Sequence, residues 1–136
     1  MISKLLASIK LQGADFSPSA LSADLAIDFN DQHEKGDLGK YGKYGRYAES
    51  GYPFGWANIV APESVDQFDS IYYLAKLVRD ARPLFDKHGI DDRYLYVGYF
   101  YEDQCNFEFS EEEINMISEA GLSFGISCYD VTEDNK

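Results

Sequence analysis

Cysteine, histidine and cationic residues are scarce in this chain, and long apolar runs are missing altogether. There are two cysteines, Cys105 and Cys128, with no Cys-x-x-Cys pattern, and they read as reduced thiols in strands rather than a disulfide framework. No stretch approaches the roughly 20 apolar residues that a membrane helix needs. The N-terminal run from Met1 to Ile9 is broken by Lys10 and carries no small-residue cleavage site, so it does not read as a signal peptide. The expectation is a soluble, cytoplasmic protein. Only His33 and His88 could serve as histidine general bases. Lys and Arg number 12 against 24 Asp and Glu, a net charge of −12.

What is present favours a folded domain. The length of 136 residues suits a single domain spanning 1–136, and 45% hydrophobic with 15% aromatic content supplies a core. The charge is unevenly placed. Residues 31–52 balance four acidic with four basic groups, whereas residues 53–136 carry 17 acidic against six basic. Such a field repels nucleic acid and anionic lipid over about 8 Å at physiological salt. It attracts basic proteins and accelerates their association by roughly 10–1000-fold. It also keeps a protein soluble, which needs no partner.

The pattern predicts an α+β fold: strand-helix-strand, long helix, strand-helix-strand, with a mainly antiparallel or mixed sheet packed on helices. Leu5, Ala7, Ile9 and Leu11 alternate as a half-buried strand. Ser17 caps a short helix with Pro18 at its first position. Residues 28–52 read as a long Gly/Lys/Tyr loop, and Phe54 to Val60 as a second strand. Ser64 is the candidate cap of the main helix, whose apolar face takes Val65, Phe68, Ile71, Tyr72, Ala75 and Val78. Pro83 ends or kinks it, and Gly89 closes its last turn. Tyr94 to Tyr101 is apolar on both faces, as a central strand would be. Asp103 interrupts it and Cys105 to Phe109 resumes. Ser110 and Glu113 form a capping box for a third helix with Ile114 and Ile117 inward. Gly121 ends that helix, Leu122 to Cys128 is the last strand, and 131–136 is a fraying tail. Asp15-Phe16-Ser17-Pro18 with Leu21, and Glu108-Phe109-Ser110-Glu111 with Ile114, share a phrase that raises an internal duplication. An aromatic before a serine cap is also an ordinary helix-start signal.

No chemistry assembles in the sequence. Gly121-Leu122-Ser123-Phe124-Gly125 matches G-x-S-x-G, but a nucleophile elbow runs strand, serine, helix, and here a helix comes first. His88 at a helix C-terminus is accounted for by the helix dipole. Glu102, Asp103, Glu108, Glu111, Glu112, Glu113 and Glu119 lack the alternating spacing of a calcium loop. Glu111 to Glu113 suit the start of a helix, and the group can equally present an acidic surface to a basic protein. No metal, cofactor or catalytic residue is expected. Gly39-Lys40-Tyr41, Gly42-Lys43-Tyr44 and Gly45-Arg46-Tyr47 alternate cations with tyrosines. Such a segment can stack bases and neutralise phosphates, anchor a protein interface through Tyr41, Tyr44, Arg46 and Tyr47, or form a solvated hairpin whose tyrosines lie on the sheet. Nucleic acid ranks lowest, because three cations do not offset the rest of the chain.

Gly13 with Asp15-Phe16-Ser17-Pro18, Lys35-Gly36-Asp37, Gly55-Trp56, and Phe109-Ser110 through Leu122, Ile126 and Tyr129 resemble an uncharacterised bacterial family, catalogued as domain of unknown function 4279. The resemblance covers about residues 5–130, and the Gly-Lys-Tyr triplet is not part of its pattern. It implies no catalytic residue. Similar small acidic proteins serve as immunity partners encoded beside bacterial toxins, so the resemblance implies a cognate basic toxin domain as partner. Two other readings stand beside this one. A small-ligand module would use a pocket between sheet and long helix lined by Trp56 and tyrosines. An enzyme ranks third.

Overall fold

The computed structural model describes residues 4–39, 47 and 50–132. The N-terminal alternation becomes β1 (Lys4–Gly13), which buries Leu5, Ile9 and Leu11 and leaves Lys4, Leu6 and Lys10 exposed on the other face. Ser17 caps α1 (Pro18–Leu25): its Oγ accepts from the Ala20 amide, and Pro18 fills the first helical position.

The segment 28–52 is not all loop. Asp31–His33 forms β2, an edge strand antiparallel to β3 (Gly55–Val60), with His33 opposite Trp56 and Asp31 opposite Asn58. Three residues are too few for an alternation to register. Beyond β2, Gly36 donates to the Tyr52 carbonyl and Tyr52 to that of Asp37. The Gly39 amide reaches the Tyr47 carbonyl at 2.7 Å and closes the base of the Gly-Lys-Tyr loop. Tyr41, Tyr44 and Arg46 lie outside the described residues.

The main helix starts later than its apolar pattern suggests. Asp66, not Ser64, caps a 3-10 turn (Gln67–Asp69) by accepting from the Phe68 amide at 2.9 Å, and α2 (Ser70–Asp80) follows. The tighter turn resets the helical phase. Val65 and Phe68 therefore fall off the inward face, Tyr72 is only partly buried, and Leu74 fills the core with Ile71, Ala75 and Val78. Pro83 sits at the start of α3 (Arg82–Lys87), and Gly89 takes the left-handed conformation that ends it.

After β4 (Asp92–Tyr101), Asp103 adopts φ 64° and the chain leaves the sheet. Residues 105–109 do not resume as a strand, and Cys105 lies in the connection. Asp103 turns the chain out of the sheet, and the place beside β4 goes to β5 (Ser123–Asp130). The capping box of α4 (Glu111–Glu119) is complete, with Ser110 Oγ accepting from the Glu113 amide at 3.1 Å and Glu113 from the Ser110 amide at 3.0 Å. Ile114, expected inward, is 55% exposed, while Met116 and Ala120 are buried. Of the expected frayed tail, Val131 donates to the Tyr101 carbonyl and Thr132 Oγ1 accepts from the Asp103 amide, so residues 131–132 are held.

The sheet has the order β2-β3-β1-β4-β5, with β1 antiparallel to β3 and β4, and β4 parallel to β5. This is a mixed sheet in an α+β fold. The units β1-α1-β3 and β4-α4-β5 close in opposite senses, so their shared phrase marks two helix starts. One core cluster joins Ile9, Leu11, Leu95 and Val97 of the sheet to Leu21, Leu74, Val78 and Phe85 of the helices. The helices thus cover one face. On the other, Leu6 and Val60 are half exposed and the Lys10 ammonium stands 5.0 Å over the Tyr96 ring. At one corner Gly13 and Gly55 face each other in register, and a Cβ on either would meet the Gly89 or Phe16 carbonyl oxygen at 2.1 or 1.9 Å.

Leu74→Ala should cost about 2–5 kcal/mol in chemical denaturation, whereas Ile114→Ala should stay within about 0.5 kcal/mol. Equal losses would mean that α4 is rotated relative to this packing. A second measurement concerns pH. His88 Nε2 lies 2.6 Å from Asp24 Oδ2 and joins α3 to α1. The hydrogen bond to His88 holds the Asp24 carboxyl below its ordinary 3.8. A depressed carboxylate stabilises the fold above its unfolded value and loses that contribution as pH falls through its folded value. The stability gap between wild type and Asp24→Asn should be full at neutral pH and narrow below 3.8.

Candidate functional site

Two clusters of the expected residues have different surroundings. The β4–α4 connection and the first turn of α4 carry Glu102, Asp103, Glu108, Glu111 and Glu112, and all but the half-buried Glu102 are exposed. Their position follows from the local sequence: Asp103 turns the chain out of β4, and the connection runs back past Tyr99, which Phe107 touches, to Phe109 against Phe124, where the Ser110 cap starts α4. None of the five makes an ion pair with a cation among the described residues. Glu113 differs, because its Oε1 is committed to the Ser110 amide. Glu119 belongs to another surface, where Arg79 Nη1 reaches its carboxylate at 3.3 Å. Asp130, at the end of β5, adds a further carboxylate beside Tyr101, its partner in register. Hydrogen bonds from Thr132 keep the Asp130 carboxyl below its ordinary range.

Tyr47 lies elsewhere. Its ring sits 5.0 Å from Tyr52 and 5.9 Å from Phe54. Those rings surround His33, which is buried between Tyr52 at 3.5 Å and 7° and Trp56 at 5.5 Å and 17°. This stack occupies edge β2 near the level of Asp92, where β4 begins. Glu102 follows the other end of that strand, about 30 Å away along the sheet at about 3.3 Å per residue. The tyrosine stack and Glu102 therefore do not share one surface. Tyr52 and Phe54 were not singled out from sequence. The alternation Tyr52, Phe54, Trp56 was the available signal, since residues two apart share a strand face.

Trp56 does not line a pocket between the sheet and α2. It alternates with the buried Ala57 and stands on the face away from the helices. A cleft of about 530 Å³ does run between the end of α1 and α2–α3, lined by Leu25, Ile27, Tyr73, Leu77 and Leu84. Another of about 520 Å³ borders the open face at Leu6, Ser8, Val60 and Tyr96. On that face Tyr96 and Tyr129 hydroxyls are 3.0 Å apart. Hydrogen bonding, first from Ser127 and then from Tyr129, lowers the Tyr96 phenol, and the bond to Tyr96 raises that of Tyr129.

Ser123 is exposed at the start of β5, on the open face opposite Tyr94, and follows a helix as its sequence context indicated. His88 is engaged with Asp24, and no serine or thiol is hydrogen-bonded to it among the described residues. Nor do the described residues hold three or more His, Cys, Asp or Glu side chains placed to bind a metal ion. No described helix is long and apolar enough to cross a membrane. No family model, curated protein or solved structure matches the chain.

Because Trp56 is the single tryptophan, its fluorescence reports on the stack. Replacing His33 with Ala removes the ring between Tyr52 and Trp56. The emission should move to longer wavelength and stability should fall by about 1–3 kcal/mol. Unchanged emission would mean that the stack does not form in solution.

Proposed function

We propose that the chain is a stoichiometric binding protein that docks a cationic protein surface, acting as an immunity partner that neutralises a cognate basic toxin domain in the cytoplasm of a bacterial producer. The observation that carries this reading is the set Glu102, Asp103, Glu108, Glu111 and Glu112, carried along the β4–α4 connection and the first turn of α4 without an ion pair among the described residues. The likeness to the uncharacterised bacterial family points the same way.

The physics of such a contact is electrostatic first. A net charge of −12 draws a basic domain in, and the carboxylates of the β4–α4 connection give the encounter a preferred surface. Carboxylates can stand where a nucleic-acid-cleaving or phosphate-seeking partner expects phosphate oxygens, so that the inhibitor occupies the substrate path. Complementary charge of this kind sets association rate and partner choice more than final affinity. With Tyr47 about 30 Å from Glu102 along the sheet, the docking contact is assigned to the carboxylates rather than to Tyr47.

The test uses the purified chain and the basic protein domain encoded beside it, mixed at low and at physiological salt. Replacing Glu102, Glu108, Glu111 and Glu112 with Lys should slow association by at least about tenfold, with the wild-type rate falling steeply as salt rises. Tyr47→Ala should leave the rate unchanged. Lack of association at low salt, or a rate indifferent to the four lysines, would overturn the reading.

A further inference from the structure

The two cysteines, 23 residues apart in sequence, meet in the fold. Cys105 Sγ donates a hydrogen bond to Cys128 Sγ at 3.5 Å, and both residues are exposed. Tyr99 brings them together. It pairs in register with Cys128 across the β4–β5 ladder, and its hydroxyl donates to the carbonyl of Asn106, next to Cys105, at 3.2 Å. Its ring also lies 4.9 Å from that of Phe107, which meets Phe109 edge-on at 4.7 Å. On the other side of Cys105, the Asp103 amide bonds to Thr132 just past β5. The connection is thus pinned on both flanks of Cys105, with the thiol turned toward β5.

We propose that Cys105 and Cys128 form a reversible dithiol–disulfide modification site, oxidised by small disulfides such as glutathione disulfide. The sulfurs need to close by only about 1.5 Å to reach bonding distance, and 102–110, without regular structure, can supply that movement. Cys128 attacks first, because the contact between the two sulfurs pushes the Cys105 thiol up. Cys128 Sγ, as its thiolate, attacks one sulfur of the small disulfide. That S–S bond breaks, one thiolate leaves and takes up a proton, and a mixed disulfide remains on Cys128. Cys105 Sγ then loses its proton, attacks Cys128 Sγ and expels the second small thiolate. Two protein thiols are oxidised, and one small disulfide is reduced to two thiols. The hydrogen bond to Cys128, followed by burial, pushes the Cys105 thiol up, which suits the resolving role.

The bond closes a loop that contains all of α4 and ties the start of the β4–α4 connection to the edge strand. An exposed disulfide remains open to reduction, so the cross-link answers to the thiol balance around it. The site does not depend on the identity of any partner.

The experiment incubates the full chain with glutathione disulfide and follows free thiols, intact mass and the denaturation midpoint. Expected is a monomer two hydrogens lighter, with no free thiol and a raised midpoint. The folding equilibrium constant should rise on the order of 100-fold, as chain entropy predicts for a loop of this length. Dithiothreitol should reverse every change. Cys105→Ser should stall with one glutathione on Cys128. Persisting thiols, a wild type that keeps glutathione adducts, or a disulfide-linked dimer would each overturn the proposal.

Discussion

The corner where Gly13 faces Gly55 constrains most of what surrounds it. Two strands meet there without side chains, and the backbone passes over them at Phe16 on one side and Gly89 on the other. A methyl group at either position would have to displace a carbonyl oxygen, so the chain can enter α1 and leave α3 only across bare backbone. That approach puts Phe16 and Leu21 over the end of β1 and brings α3 close enough for His88 to reach Asp24. It also fixes where the covered face of the sheet ends.

The distribution of charge follows from the same two-layer plan. On the helix side, opposite charges find each other: Arg79 with Asp80 and Glu119, Arg93 with Asp86, and Lys87 with Asp24, which His88 also hydrogen-bonds. Asp86 is held well below its ordinary range by the Arg93 guanidinium, as expected for a carboxylate with an adjacent cation. These exposed pairs add little stability singly. What they do is engage cations away from the carboxylates around 102–112, none of which pairs with a cation among the described residues.

Signals carried by neighbouring residues were legible in the sequence. Ser17-Pro18, the Ser110–Glu113 box, Pro83, Gly89 and Gly121 each act within a turn of backbone, and each lies where its chemistry requires. Features that depend on distant partners were not. β2 exists because β3 offers it a ladder, and the run from Cys105 to Phe109 is no strand because β5 takes the place beside β4. Leu74 replaced Phe68 in the core because a 3-10 turn intervened between Val65 and α2. Of the candidate site, the carboxylates could be named from their clustering. The separation of Glu102 from Tyr47 could not, since it rests on strand pairing. The meeting of Cys105 with Cys128 was equally hidden, because it depends on the β4–β5 register and on the bonds that fold the connection back against β5.

Among the described residues, the last strand has a neighbour on one side only. β5 pairs with β4, and among its eight residues, Ser-Phe-Gly-Ile-Ser-Cys-Tyr-Asp, only Asp130 carries a charge. Its outer row of amides and carbonyls is a template onto which a second extended chain could add. No lysine or proline blunts that margin. Mutual repulsion between whole molecules has to keep two such margins apart, and this gives the acidity a task that does not involve recognition. Ionic strength then governs colloidal behaviour directly: as salt screens the surplus of carboxylates, copies of the chain can approach margin to margin.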